Sequence, residues 1–164
     1  MDGFSIVFFL SSEWSHYHRP GLLRAMARAQ ADHGPVLVVN NPVCPLSTRW
    51  HRPQRWQQWC ARDRQTPPLQ TIADNLVLLD ARVALHDKLA SGLPGAGHLN
   101  RHLLAPQVNA AMAALDMRHP RVSWFQFPTF CHYPGLLQEQ LAVYECYDEH
   151  ADVPGLSAYA KRRV

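Results

Sequence analysis

Residues with chemistry to offer gather most densely at Tyr144-Glu145-Cys146-Tyr147-Asp148-Glu149-His150. Three carboxylates and an imidazole leave an apolar run there. Carboxylates accept hydrogen bonds from sugar hydroxyls, and a histidine can hold or release a proton near neutral pH. Alternation along an extended strand sends Glu145 and Tyr147 to one face and Tyr144, Cys146 and Asp148 to the other, so one site cannot use them all. The competing reading is a polar loop in which Asp148 caps the turn. A second group lies between Val43 and Gln65, where Arg49, Arg52, Arg55, Arg62 and Arg64 face only Asp63, a local charge of +4 in a chain whose net charge is +3. Trp56 and Trp59 stand three residues apart within it. That mix suits an anionic membrane surface or a phosphate-bearing ligand, and equally a pair of tryptophans capping a sheet edge while the arginines face water. Stacking aromatics with arginines would also serve nucleic acid, which is the least favoured of these partners and is not expected.

Ten histidines raise the question of a metal. His16 and His18 share a loop and His98 and His102 have helical i, i+4 spacing, but no third ligand is evident, so they read as solvated side chains and no metal is expected. Gly95-Ala96-Gly97 begins a G-x-G, yet Asn100 occupies the place of the third glycine, which weakens a dinucleotide reading. No P-loop, H-E-x-x-H or G-x-S-x-G pattern occurs, so the commonest nucleotide-triphosphatase, metalloprotease and serine-hydrolase signatures are missing.

The elements that must position these groups follow from the apolar pattern. Phe4–Leu10 is a continuous apolar run, as expected of a strand buried on both faces. A helix follows from Pro20, with Leu22, Leu23, Met26 and Ala27 on one stripe, and Gly34 closes it. Val36–Val39 is a second strand, which completes a βαβ unit with the expected right-handed crossover. Residues 43–72 hold several prolines and no clear period, and read as an irregular insertion with one short helix near Gln54–Arg62. Asn75–Leu79, Val122–Phe127 and Leu141–Cys146 are three further strands. Between them lies a helix from Leu99 to Met117 that Pro106 should kink or start, and Gly135–Gln140 reads as a short connecting helix. Alternating strands and helices imply a mostly parallel sheet wrapped on both faces, a three-layer α/β/α domain with ligands at the carboxyl ends of its strands.

The chain of 164 residues, 47% hydrophobic and 18% charged, is the size of one domain over 1–164. Cys44, Cys60, Cys131 and Cys146 form no C-x-x-C pair, which favours a reducing compartment over a disulfide framework or a zinc ribbon. The acidic start and the short first apolar run do not fit an export signal, and a cytoplasmic protein, at most touching the inner face of the membrane through Trp56, Trp59 and their arginines, is expected. After Pro154-Gly155 the residues Leu156–Val164 read as a helix without a stop signal, as though a further domain were to follow.

Several segments together resemble the amino-terminal half of bacterial GT-B glycosyltransferases of the family-four type. They are the first strand running into Ser11-Ser12-Glu13-Trp14, Arg19-Pro20 before the Leu22–Ala27 helix, Val36–Pro42, Asn100–Leu104, Trp124–Pro128, and Tyr144–Glu149 with Pro154-Gly155. The resemblance covers most of the chain outside about 43–71, and its weight lies in order and spacing. It implies a Rossmann-like domain that binds the acceptor, a glycan or lipid-linked glycan. A second domain, absent from this sequence, would hold the nucleotide-sugar donor, and no cofactor beyond that co-substrate is implied. On this resemblance His150 and Asp148 would be the catalytic contacts, and Glu13, Trp14, His16, Gln126 and Glu149 would bind the acceptor. The chain departs from the family in Glu145, where an aspartate is usual, in Glu149 as the second acid of the pair, and in a first loop, Ser11–Arg19, without glycine. Alone, this half should not turn over. The alternative is a standalone Rossmann-like binding module without transferase activity.

Overall fold

The computed structural model describes residues 4–61, 68–90, 92–93, 95–117 and 121–145. Its centre is a six-stranded sheet in the order β3-β4-β2-β1-β5-β6. β1 (Ser5–Phe9), β2 (Val36–Val39), β4 (Leu76–Leu79), β5 (Arg121–Phe125) and β6 (Leu141–Tyr144) run parallel, and β3 (Leu69–Ala73) is antiparallel at one edge. Every residue of β1, β2 and β4 is buried, as continuous apolar runs require when both faces of a parallel sheet are covered. Counting parallel strands alone, the order is third, second, first, fourth, fifth. The direction of winding therefore reverses between β1 and β5, an arrangement compatible with a Rossmann-like fold.

α1 (Pro20–Ala29) opens on Pro20 and buries Leu23 and Ala27 against Ile6, Phe8, Val36, Val38, Leu76 and Leu78. It ends in a 3-10 turn, Ala31–His33, and Gly34 at φ 106° redirects the chain into β2, a conformation open chiefly to glycine. α5 (Ala96–Ala114) packs Leu104, Val108, Ala111 and Met112 on Val7, Phe9, Leu37 and Val39, the alternate residues of the same strands. Pro106 lies within α5 and does not divide it. Beside it the Gln107 side chain donates to the Leu103 carbonyl at 2.6 Å and to the Arg82 carbonyl at 2.9 Å, while its oxygen accepts from the Arg82 N–H.

Three expectations change. The segment 43–72 is more ordered than its prolines suggest: α3 (Pro53–Cys60) is the short helix expected near Gln54–Arg62, but a second one, α2 (Pro45–His51), precedes it, each starting on a proline and meeting the other at Arg52. The same segment ends in β3, joined to β4 through Asp74-Asn75, with Asn75 at φ 55°. Asparagine tolerates that left-handed conformation, which a tight hairpin requires. Gly135–Gln140 is a run of turns rather than a helix. Gly135 takes φ 79°, and Glu139 accepts from the backbone N–H groups of Gly135 and Leu137. A short α4 (Asp87–Ala90) precedes α5. Among the described residues no helix is long and apolar enough to cross a membrane.

Candidate ligand cleft at the carboxyl ends of the strands

The strand ends are fastened to one another by side chains. Asn40, buried just beyond β2, accepts from the backbone N–H groups of Trp14 (2.9 Å) and Asn41 (3.0 Å), and donates to Asp80 Oδ1 at 2.6 Å. It therefore ties the loops that follow β1, β2 and β4. Asn41 adds a bond to the Ser11 carbonyl at 2.6 Å. Onto this frame α3 lays Arg55, whose guanidinium reaches Glu13 Oε1 (2.9 Å), the Asn41 carbonyl (2.6 Å) and Asp80 Oδ1 (3.3 Å). Arg52, at the junction of α2 and α3, shares the same Glu13 oxygen at 2.6 Å. The Glu13, Arg55 and Asp80 side chains are each only about 15% exposed, so these charges act with less screening than a surface pair would.

Above the frame lies an open cleft of about 620 Å³, bordered among others by Ser12, Glu13, His16, His51, Arg52 and His86. Two arginines, three histidines, serine and threonine hydroxyls and one carboxylate border it. Such a lining can donate to anionic oxygens and exchange hydrogen bonds with hydroxyl groups. Its place, at the carboxyl ends beside the point where strand order reverses, is where open α/β sheets present ligands.

Of the residues singled out from sequence, Glu13 and His16 border this cleft. Trp14 turns its ring toward Tyr17, with centroids 5.9 Å apart, and packs against the core on the α1 face. Gln126 is buried, and its Nε2 donates to Tyr17 Oη at 3.3 Å and Glu145 Oε2 at 3.4 Å. Glu145 also accepts from Arg19 at 2.6 Å and Trp124 Nε1 at 3.2 Å, so it holds the β5 and β6 ends to the loop before α1. Asp148, Glu149 and His150 lie outside the described residues. Trp56 and Trp59 stack at 5.5 Å with Arg82 over the Trp59 ring at 5.4 Å, whereas Trp50, on α2, is 79% exposed. Gly97 serves packing: a Cβ there would stand 2.8 Å from the His132 side chain.

Sequence reasoning missed the part that Arg52 and Arg55 play on Glu13, and the bracket made by Asn40 and Asp80. The polar residues directly after each apolar run were the available signal. It missed also a buried cluster beside the cleft. Asp87 Oδ1 accepts from Tyr133 Oη (2.7 Å) and Asn100 Nδ2 (3.3 Å), and His132 Nε2 stands 3.8 Å away. Burial pushes the Asp87 carboxyl up to about 6 against the opposing pull of these two hydrogen bonds, and burial, then the Asp87 charge, pushes the Tyr133 hydroxyl well above its ordinary value. Asn100, placed in α5 where a dinucleotide fingerprint would want glycine, accepts from the Ala84 and Leu85 N–H groups at 3.1 Å and so fixes the loop after β4. Among the described residues no group of three or more histidine, cysteine, aspartate or glutamate side chains is close enough to hold a metal ion. No protein-family model, curated protein or solved structure matches the chain.

Proposed function

We propose that the chain is the acceptor-binding half of a glycosyltransferase, a three-layer Rossmann-like unit whose cleft takes a hydroxyl-bearing glycan or lipid-linked glycan. In the reaction the acceptor hydroxyl forms a new bond to the anomeric carbon of a nucleotide-sugar. The bond from that carbon to the departing nucleoside diphosphate breaks, and the hydroxyl proton passes to a base. The observation that carries the reading is Glu13, held by Arg52 and Arg55 at the border of a polar cleft at the carboxyl ends of a parallel sheet. A carboxylate fixed on one oxygen by two guanidiniums is a preorganised acceptor for a sugar hydroxyl, and the histidines around it supply the donors. His16 is the cleft histidine nearest in sequence to that carboxylate, and Asp148 and His150 would complete the contacts from the segment after β6.

Saturation-transfer NMR of the full chain with neutral oligosaccharides, lipid-linked glycans and sugar nucleotides tests this. The expected outcome is contact with a glycan that weakens about tenfold or more in Glu13→Gln, the size of effect that losing a charged hydrogen-bond partner produces. Binding of sugar nucleotides with no glycan contact, or glycan contact indifferent to Glu13→Gln, would overturn it.

A further inference from the structure

The border of the polar cleft carries apolar side chains that face water. Trp50, in α2, is 79% exposed, and Leu89, in α4 and itself a cleft residue, is 59% exposed. Leu93 is 53% exposed, and its N–H bonds the Leu89 carbonyl at 3.1 Å, so the two leucines share one turn. Trp50 follows Ser47 by one turn of α2 and directly precedes His51, and both of these border the cleft. Leu99, 48% exposed, belongs to the first turn of α5, where Asn100 holds the loop after β4. Large apolar side chains are thus exposed on three elements at the carboxyl end of the sheet. Trp56 and Trp59, by contrast, are half-buried, stacked on each other with Arg82 over the second ring.

The charge around these anchors has one sign. Residues 43–60 hold Arg49, Arg52 and Arg55 and no acid. Residues 84–115 hold one acid, Asp87, and it is buried against Tyr133 and Asn100. Glu13, the carboxylate of the cleft, is neutralised by Arg52 and Arg55. Arg49 and Arg52 are exposed on either side of Trp50 along the chain. Such a rim suits the headgroup layer of an anionic bilayer. There a tryptophan ring sits at the boundary, leucines reach the acyl chains and arginines meet lipid phosphates. A protein partner fits less well, because a stable protein interface packs a contiguous dry core, whereas these anchors stand on three elements with imidazoles and hydroxyls of the cleft among them.

We propose that this rim, with Trp50, Leu89 and Leu93 as apolar anchors and Arg49 and Arg52 as cationic ones, seats the protein on an anionic lipid surface. The contact lies on α2 and α4, not on the Trp56 and Trp59 pair of α3 that the sequence suggests. Seated so, the polar cleft opens toward the headgroups, within reach of a polar group borne on a lipid. The seating goes beyond the transferase reading and stands or falls without it, since bare lipid is enough for it.

Co-sedimentation of the full chain with vesicles, of phosphatidylcholine alone or mixed with phosphatidylglycerol, decides it. No glycan is present, so the result leaves the reading of the cleft untouched. The expected result is binding to the mixed vesicles that weakens about tenfold or more in Trp50→Ala with Leu89→Ala, as the loss of two interfacial anchors requires. Added salt should weaken it too, through screening of the arginines. Tryptophan emission should shift to the blue on binding, and Trp50→Phe should remove that shift. The exposed site of Trp50 makes that variant safe for folding, and the measurement on the unaltered chain needs no variant. Absence of binding to the mixed vesicles would overturn the proposal, and so would equal binding to phosphatidylcholine alone. Binding that survives Trp50→Ala with Leu89→Ala would overturn it as well. A lipid-free dimer by light scattering that Trp50→Ala dissolves would assign the rim to a second copy and sink the lipid assignment.

Discussion

Asp87 is buried with its oxygen on Tyr133 and Asn100, and burial holds its carboxyl near 6 instead of the ordinary 3.8. The folded protein therefore binds this proton more tightly than the unfolded chain. Stability supplied by the protonated carboxyl is fully present below about pH 4 and is lost as pH rises through about 6, a change on the order of 3 kcal/mol. The unfolded chain ionises freely over that window while the folded one must carry a charge away from water. Asp87→Asn keeps the shape and removes the titration. The stability difference between wild type and Asp87→Asn, from urea unfolding at pH 4 to 7, should shift in favour of the variant as pH rises. A difference independent of pH would show that the carboxyl titrates alike in both states. Taking the difference cancels the contributions of groups common to both proteins that do not touch Asp87.

At the scale of elements, two helix glycines have opposite surroundings. Gly21, in the first turn of α1, has nothing within 4 Å of where a Cβ would stand, whereas at Gly97, in α5, that atom would sit 2.8 Å from Cβ and Cγ of His132. Alanine is favoured over glycine in helices by about 1 kcal/mol, and overpacking a fitted contact costs about 1–3 kcal/mol. Gly21→Ala should therefore raise the urea midpoint and Gly97→Ala lower it, each with an unchanged m-value. Matching gains would mean that His132 moves aside at no cost. The same contrast between local and distant causes explains what could be read from sequence. β1, α1, β2, β4 and β5 announced themselves because their apolar runs and stripe are local, and the parallel sheet followed from their alternation. β3 stayed hidden because Leu69–Ala73 is half-exposed and gains its identity only from pairing with β4. α3 was legible as the short helix near Gln54–Arg62, whereas the seven residues of α2 are too few to show a period. Glu13 and His16 were legible as polar residues after a strand, but the hold of Arg52 and Arg55 on Glu13, and of Tyr133 on Asp87, joins residues about forty positions apart, which no local pattern encodes.

For the molecule as a whole, the position of β1 ties together distant parts of the chain. Ile6 pairs with Val36 on one side and Val122 on the other. Closing the longer loop costs roughly another 1 kcal/mol of chain entropy, since each doubling of length adds about 0.6 kcal/mol. The β2 and β4 side should form early and β5 should dock late. Leu37→Ala should then slow refolding, while Phe125→Leu should mainly speed unfolding, as the two limbs of a denaturant chevron would separate. Equal effects on the folding limb would mean that both sides of β1 form together. There is a consequence for synthesis. When a ribosome has delivered the chain through Asp80, three parallel strands can pair, yet the outer edge of β1 is bare until Phe125 follows. At about 5–20 residues per second that interval lasts several seconds. During it, a buried and largely apolar strand is an open template for other nascent chains.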